Sequence, residues 1–123
     1  MNENERSLSA DDVDLALGDY AAAVRARYGR RLRLIVLFGS RARGDARPDS
    51  DADVAVVLEV GDCSFWTEKI ALADLAYEVL MRYGLVIQPW PIANSAWAAP
   101  ATPDNRELVE AVKRDARRLP EAA

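Results

Sequence analysis

The feature that most constrains this chain is a hydrophobic run that stops and then restarts. Leu34-Ile-Val-Leu-Phe38 ends at Gly39-Ser40, ten residues of polar loop follow, and the chain resumes with Asp51-Ala-Asp-Val-Ala-Val-Val-Leu58. A short apolar run closed by glycine predicts a buried strand. The run from Asp53 to Leu58 predicts a second strand, ended by Gly61-Asp62. If the two strands are neighbours, the end of the first and the head of the second lie at one end of the same sheet.

The rest of the chain supplies helices for that sheet. Asp11 to Arg30 predicts a helix with Ser9 as cap, Asp12 in the first turn, and Val13, Leu17, Tyr20 and Val24 facing the core. Phe65 to Tyr83 predicts another, capped by Ser64 or Asp62 and stopped by Gly84. Its apolar stripe reads as Trp66, Ile70, Tyr77 and Leu80, with Ala73 between. Leu85 to Trp90 predicts a short third strand, which Pro89 and Pro91 place at an edge or an abrupt end. Ala93 to Pro103 reads as a mobile connecting loop. Thr102-Pro-Asp-Asn opens a last helix with Leu108, Val109, Val112 and Ala116 on one face. The order helix, strand, strand, helix, strand, helix predicts a small α/β (α+β) domain. It would span residues 1–123, with a mixed sheet of three to four strands flanked by helices and a flexible acidic tail over 1–8.

Composition narrows the chemistry. A chain of 123 residues makes one domain and leaves nothing for a second substrate-binding lobe. There is no histidine, which removes Cys/His zinc sites and every His-based triad. Cys63 stands alone, which fits a reducing compartment. The first residues, MNENERS, carry no apolar signal and no stretch approaches a membrane span, so a cytoplasmic protein without a membrane partner is expected. A net charge of −4 argues against an extended nucleic-acid surface. Charge is uneven, however. Glu3, Glu5, Asp11, Asp12, Asp14 and Asp19 make the first nineteen residues acidic, whereas Arg25 to Arg47 holds eight arginines against Asp45. The part from Arg25 to Arg33 reads equally well as a solvated basic helix end.

The loop between the strands carries the chemistry. Gly39 lacks a Cβ, so a ligand can approach its backbone, and Ser40-Arg-Ala-Arg43 can form one helical turn. Backbone N–H groups at such a turn make an anion site, to which Arg41 or Arg43 adds charge. Asp51 and Asp53, two residues apart at the head of a strand, place both carboxylates on one face with Cα atoms roughly 6 to 7 Å apart. Paired hard oxygen donors beside an anion cradle suit Mg²⁺ carrying nucleotide phosphates. The competing reading is a polar turn, since Pro48-Asp49-Ser50-Asp51 is good turn chemistry.

Gly39-Ser40, ten residues, then Asp51-Ala52-Asp53 resembles the G-S-x10-D-x-D signature of the DNA polymerase β-like nucleotidyltransferase superfamily. Length and spacing resemble its minimal branch, the MNT antitoxins of HEPN ribonuclease toxins, over roughly residues 10 to 119. The resemblance implies the polymerase β-like fold and Mg²⁺-dependent transfer of AMP from ATP to a tyrosine of a HEPN partner. Gly39 and Ser40 would then hold the triphosphate, and Asp51 and Asp53 the metal. The chain departs from the family at the third carboxylate, which active members carry on the strand after the long helix. No Asp or Glu lies between Glu78 and Asp104, and Gln88, or else Val86, falls at that position. Two readings follow: an adenylyltransferase working with two aspartates, or a degenerate member that neutralises its partner by binding alone. An antibiotic nucleotidyltransferase would need a helical acceptor domain that this chain has no residues to build. For a partner surface, Trp90, Ile92 and Trp97 are candidates, although the tryptophans also suit a covered sheet edge. The acidic N-terminal region is a further candidate, with a solvated terminal face as its alternative.

Overall fold

A computed structural model describes residues 8–59 and 65–120. Glu3 and Glu5 of the acidic start, the strand end proposed at Gly61-Asp62, the cap at Asp62 or Ser64, and Cys63 lie outside the described residues, whereas Asp11, Asp12, Asp14 and Asp19 lie in the first helix, the first three exposed. The order is α1 (Ala10–Tyr28), a 3-10 turn (Gly29–Arg31), β1 (Leu32–Phe38), α2 (Ser40–Arg43), β2 (Ala52–Leu58), α3 (Phe65–Tyr83), β3 (Ile87–Ala93), α4 (Asn94–Ala98), α5 (Pro103–Asp115) and β4 (Arg117–Arg118).

The four strands form one mixed sheet in the order β3-β2-β1-β4. β1 pairs antiparallel with both β2 and β4, and β2 pairs parallel with β3. The tight α2 loop permits the antiparallel pair, while the parallel pair needs the α3 crossover. The apolar runs of β1 and β2 are explained by helices on both sides of the sheet. Leu37, Val54, Val56, Leu58 and Ile87 face a core built with α1 and α3. Val36, Phe38, Ala55, Val57 and Ile92 face a smaller core closed by Val109 and Val112 of α5.

Local signals explain the outer helices. Ser9 accepts from the Asp12 N–H at 3.0 Å and Thr102 from the Asn105 N–H at 3.1 Å, so α1 and α5 both begin at a side-chain cap. Tyr20 donates its hydroxyl to the Leu72 carbonyl at 3.1 Å, tying α1 to α3, and burial pushes its phenol pKa upward. Arg31 pairs with the buried Glu68 of α3 and donates to the Glu59 carbonyl at 3.0 Å, fixing the end of β2 to both helices. Beside them the Tyr28 phenol is pushed up to about 12, by burial first and by the neighbouring Glu68 carboxylate second.

Five expectations need correction. The α3 stripe read from the sequence lies on the outside: Trp66, Ile70 and Tyr77 are 66%, 59% and 58% exposed, and Ala73 is exposed too. Glu68, Leu72, Ala76 and Val79 form the buried face instead. Ile92, a candidate surface residue, is buried against α5. The segment after Ala93 forms α4 rather than a structureless loop, and Trp97 packs partly buried against the smaller core. Ala116 falls just past the end of α5, exposed. β3 also starts and ends later than expected, at Ile87–Ala93, and takes the predicted edge place. The Ala52 N–H donates to the Val86 carbonyl at 2.9 Å, so the polar backbone groups of Gln88 and Trp90 also turn toward β2. Pro89 and Pro91 then occupy positions whose backbone points away from the sheet, where a missing N–H breaks no ladder bond.

Candidate functional site

The site lies where β1 ends and β2 begins. Phe38 pairs with Asp53 across the antiparallel ladder, which carries Gly39 directly over the second carboxylate. Gly39 adopts φ 78° and ψ −157°, a region that favours glycine. A Cβ placed there would come within 2.5 Å of Asp53 Oδ2. Glycine is therefore required twice, by backbone angle and by the carboxylate against it. α2 follows at once, and its first turn leaves the N–H groups of Ser40, Arg41 and Ala42 without intrahelical acceptors.

Ala52 is buried toward α1 and α3, so strand alternation sets Asp51 and Asp53 on the opposite side, the face that α5 covers further along. Asp51 is exposed and Asp53 partly exposed. Gln88 is the register partner of Asp53 on the parallel neighbour β3 and is exposed on the same face. Val86 precedes β3. Among the described residues no third carboxylate, cysteine or histidine completes a metal cluster. Asp51, Asp53 and the glycine cradle nevertheless fit a hard divalent ion, because such an ion needs one or two carboxylates when phosphate and water oxygens supply the rest.

The two arginines are engaged elsewhere. Arg41 donates to the carbonyls of Ser50 at 2.9 Å and Pro48 at 3.0 Å, which shapes the loop leading into Asp51. Arg43 donates to Asp45 at 3.2 Å and to Asp115 of α5 at 2.9 Å. Asp115 is nearly buried and also accepts from Arg114 at 3.0 Å. Arg114 and Arg43 hold its carboxyl down to about 2. Arg117 adds a hydrogen bond to the Ala42 carbonyl at 3.1 Å, so α2 is fastened to the C-terminal segment by two side chains. The sequence did not single out Asp115, whose role depends on a partner 72 residues away.

Trp90 is the second residue whose role changes. Its indole N–H donates to Asp53 Oδ1 at 3.1 Å. Its ring meets Phe38 edge-on, with centroids 6.3 Å apart, and lies under the Lys69 ammonium at 5.6 Å. Asp53 thus has one oxygen toward Trp90 and the other against Gly39, while each carboxylate oxygen keeps lone-pair capacity for another partner. The site is an open shelf. The grooves around Leu37 and Arg41, and around Asp19 and Tyr83, are not lined by either aspartate.

The sequence pattern of the nucleotidyltransferase domain family matches residues 19–89. Two Methanocaldococcus jannaschii relatives, each named as a candidate protein adenylyltransferase, are 38% identical over 72 residues and 33% identical over 73. These matches span 58% and 59% of this chain but only 65% and 50% of the relatives' own lengths. Among solved structures, a toxin–antitoxin crystal structure with AMP-PNP superposes with a TM-score of 0.56 at 19% identity, covering 85% of this chain and 73% of the other. A mutant MntA–HpeT toxin–antitoxin gives 0.53 at 17%, covering 83% and 70%. At such identities the likeness is one of fold. The family match runs from α1 through the first residues of β3 and takes in Gly39, Ser40, Asp51, Asp53 and Gln88, and the chain belongs to the nucleotidyltransferase domain family.

Proposed function

We propose that this chain is an antitoxin-type protein adenylyltransferase that moves AMP from ATP, with Mg²⁺, to a tyrosine hydroxyl of a partner HEPN ribonuclease toxin in the cytoplasm. The observation that carries this reading is the apposition of Gly39 to Asp53, a backbone cradle set against a carboxylate pair. The adenylyltransferase names of the two relatives support the reaction, and the toxin–antitoxin neighbours support the partner. Gly39 and the first N–H groups of α2 receive the triphosphate, and Arg41 holds the loop that presents Asp51. Asp51 and Asp53 hold the cation, which neutralises phosphate charge when bound. The acceptor oxygen forms a bond to the α-phosphorus as the bond to pyrophosphate breaks. Pyrophosphate leaves with the bonding pair, and the hydroxyl proton passes to solvent.

Gln88 beside Asp53, and the Trp90 indole on Asp53 Oδ1, favour a second reading in which the chain neutralises its partner by binding without transfer. A neutral amide is a poor magnesium ligand and no base.

One experiment separates them. The protein is incubated with Mg²⁺, ATP labelled at the α-phosphate, and the purified toxin, and the toxin is weighed by mass spectrometry. Transfer predicts a toxin heavier by one AMP, lost in Asp51→Asn/Asp53→Asn and faster in Gln88→Glu by about tenfold or more, as one positioned ligand or base commonly contributes. Binding alone predicts unmodified toxin with every variant and unchanged neutralisation.

A further inference from the structure

α3 is apolar on two opposite sides. Its inner side meets α1 and the sheet. Its outer side carries Trp66, Ile70, Tyr77 and Met81 at 66%, 59%, 58% and 68% exposure, with exposed Ala73 at the centre. Side chains of this size, more than half uncovered, leave on the order of 500 Å² of surface in one stripe. That matches the largest patches of ordinary monomers and is more than half of the roughly 800 Å² that each partner contributes to a stable interface. A patch of this size is often functional.

Charge says which kind. Asp74 and Glu78, four residues apart, are both exposed along one edge of the stripe. Neither makes an ion pair with another described residue. Like charges at this spacing weaken an isolated helix and gain from opposite charge supplied from outside. A second copy supplies it poorly. The chain is net negative, and an antiparallel two-fold contact would lay each acidic edge beside itself. Lys69, on the other edge, is already placed over Trp90.

That last contact also makes the face continuous with the site. Lys69 belongs to α3, and the indole beneath it donates to Asp53. The outer face is therefore linked to Asp53 through Lys69 and then Trp90.

We propose that the outer face of α3 is where the toxin docks, through an apolar helical ridge bordered by a row of Lys or Arg that meets Asp74 and Glu78. This rests on the reading that the partner is a toxin. The test compares wild type, Ile70→Asp/Tyr77→Glu and Asp74→Lys/Glu78→Lys for binding to the purified toxin by calorimetry. Oligomeric state by light scattering and melting temperature are measured in parallel. The expected result is a monomeric chain whose apolar double variant keeps its melting temperature and loses at least about 100-fold in toxin affinity. The charge-reversed variant should lose about tenfold at low salt, and the loss should shrink as salt is added. If the apolar variant does not fold, Ile70→Ser and the charge reversal carry the same expectation. Toxin affinity within about threefold of wild type in the folded variants overturns the surface and leaves the transfer reading standing. Self-association of the chain alone that these substitutions abolish assigns the face to a second copy and also overturns it. Wild type that binds no toxin overturns both.

Discussion

α3 and α5 lie on opposite sides of the same sheet, yet they use their apolar residues differently. α5 has one stripe, Leu108, Val109 and Val112, and that stripe closes the smaller core while the rest of the helix, Pro103 and Ala111 apart, is polar or charged. α3 has two, and the one richer in aromatic residues is the one it leaves in solvent. The difference teaches that a strong helical period shows where apolar residues line up, without saying what they line up against. With one stripe, the core is the only taker. With two, the choice depends on which side chains fit beneath: Leu72, Ala76 and Val79 are slim enough for close approach to α1, and Trp66 and Tyr77 are not.

The contrast can be broken most directly inside α3. Leu72→Ala should cost about 3 kcal/mol of unfolding free energy, as expected for a fully buried leucine. Ile70→Ala, two residues away, should change the isolated chain by no more than about 0.5 kcal/mol. Chemical denaturation of both variants measures the pair, and equal losses would mean that the outer face is covered within the chain itself. A smaller effect belongs to α5, where Thr102→Ala removes a cap and should cost about 1 kcal/mol by the same measurement.

The smallest effect is one of pH. Asp115, at the end of α5, has its carboxyl lowered from 3.8 to about 2 by Arg114 and Arg43. A depressed carboxyl stabilises the fold above its unfolded value and loses that contribution as the pH drops through its folded value. The end of α5 and the adjoining α2 turn should therefore loosen between about pH 4 and pH 2. Amide hydrogen exchange of α5 across that window checks it, with Asp115→Asn flattening the dependence.

Much of the architecture was legible because independent local signals agreed. Gly39-Ser40 ending one apolar run and Asp51-Ala-Asp53 opening the next marked two strands with a short helical turn between them, and the structure pairs the two directly. Ser9 and Thr102 marked helix starts that the structure uses. What escaped was decided by distant contacts. β4 is two arginines, without any strand character of their own, recruited by Val36 and Leu37. The ion pair of Arg43 with Asp115 and the hydrogen bond of the Trp90 N–H to Asp53 join residues far apart in the chain, which no local pattern reveals. The period-two spacing of the aspartates could reveal a shared side, but not the glycine pressed against one of them.

The prolines of β3 have a consequence for how this molecule meets others. An exposed sheet margin is an invitation for a further strand, from a partner or from a misfolded copy. Here Pro89 and Pro91 remove two outward donors from one margin, and the other is β4, two residues long and doubly cationic. Backbone-to-backbone annexation is hindered along β3 and at the two residues of β4, while Leu32 to Ile35 of β1 have no described strand beside them on that side. A protein partner is met mostly through side chains, whereas the backbone N–H groups of the α2 turn stay open to a small anion.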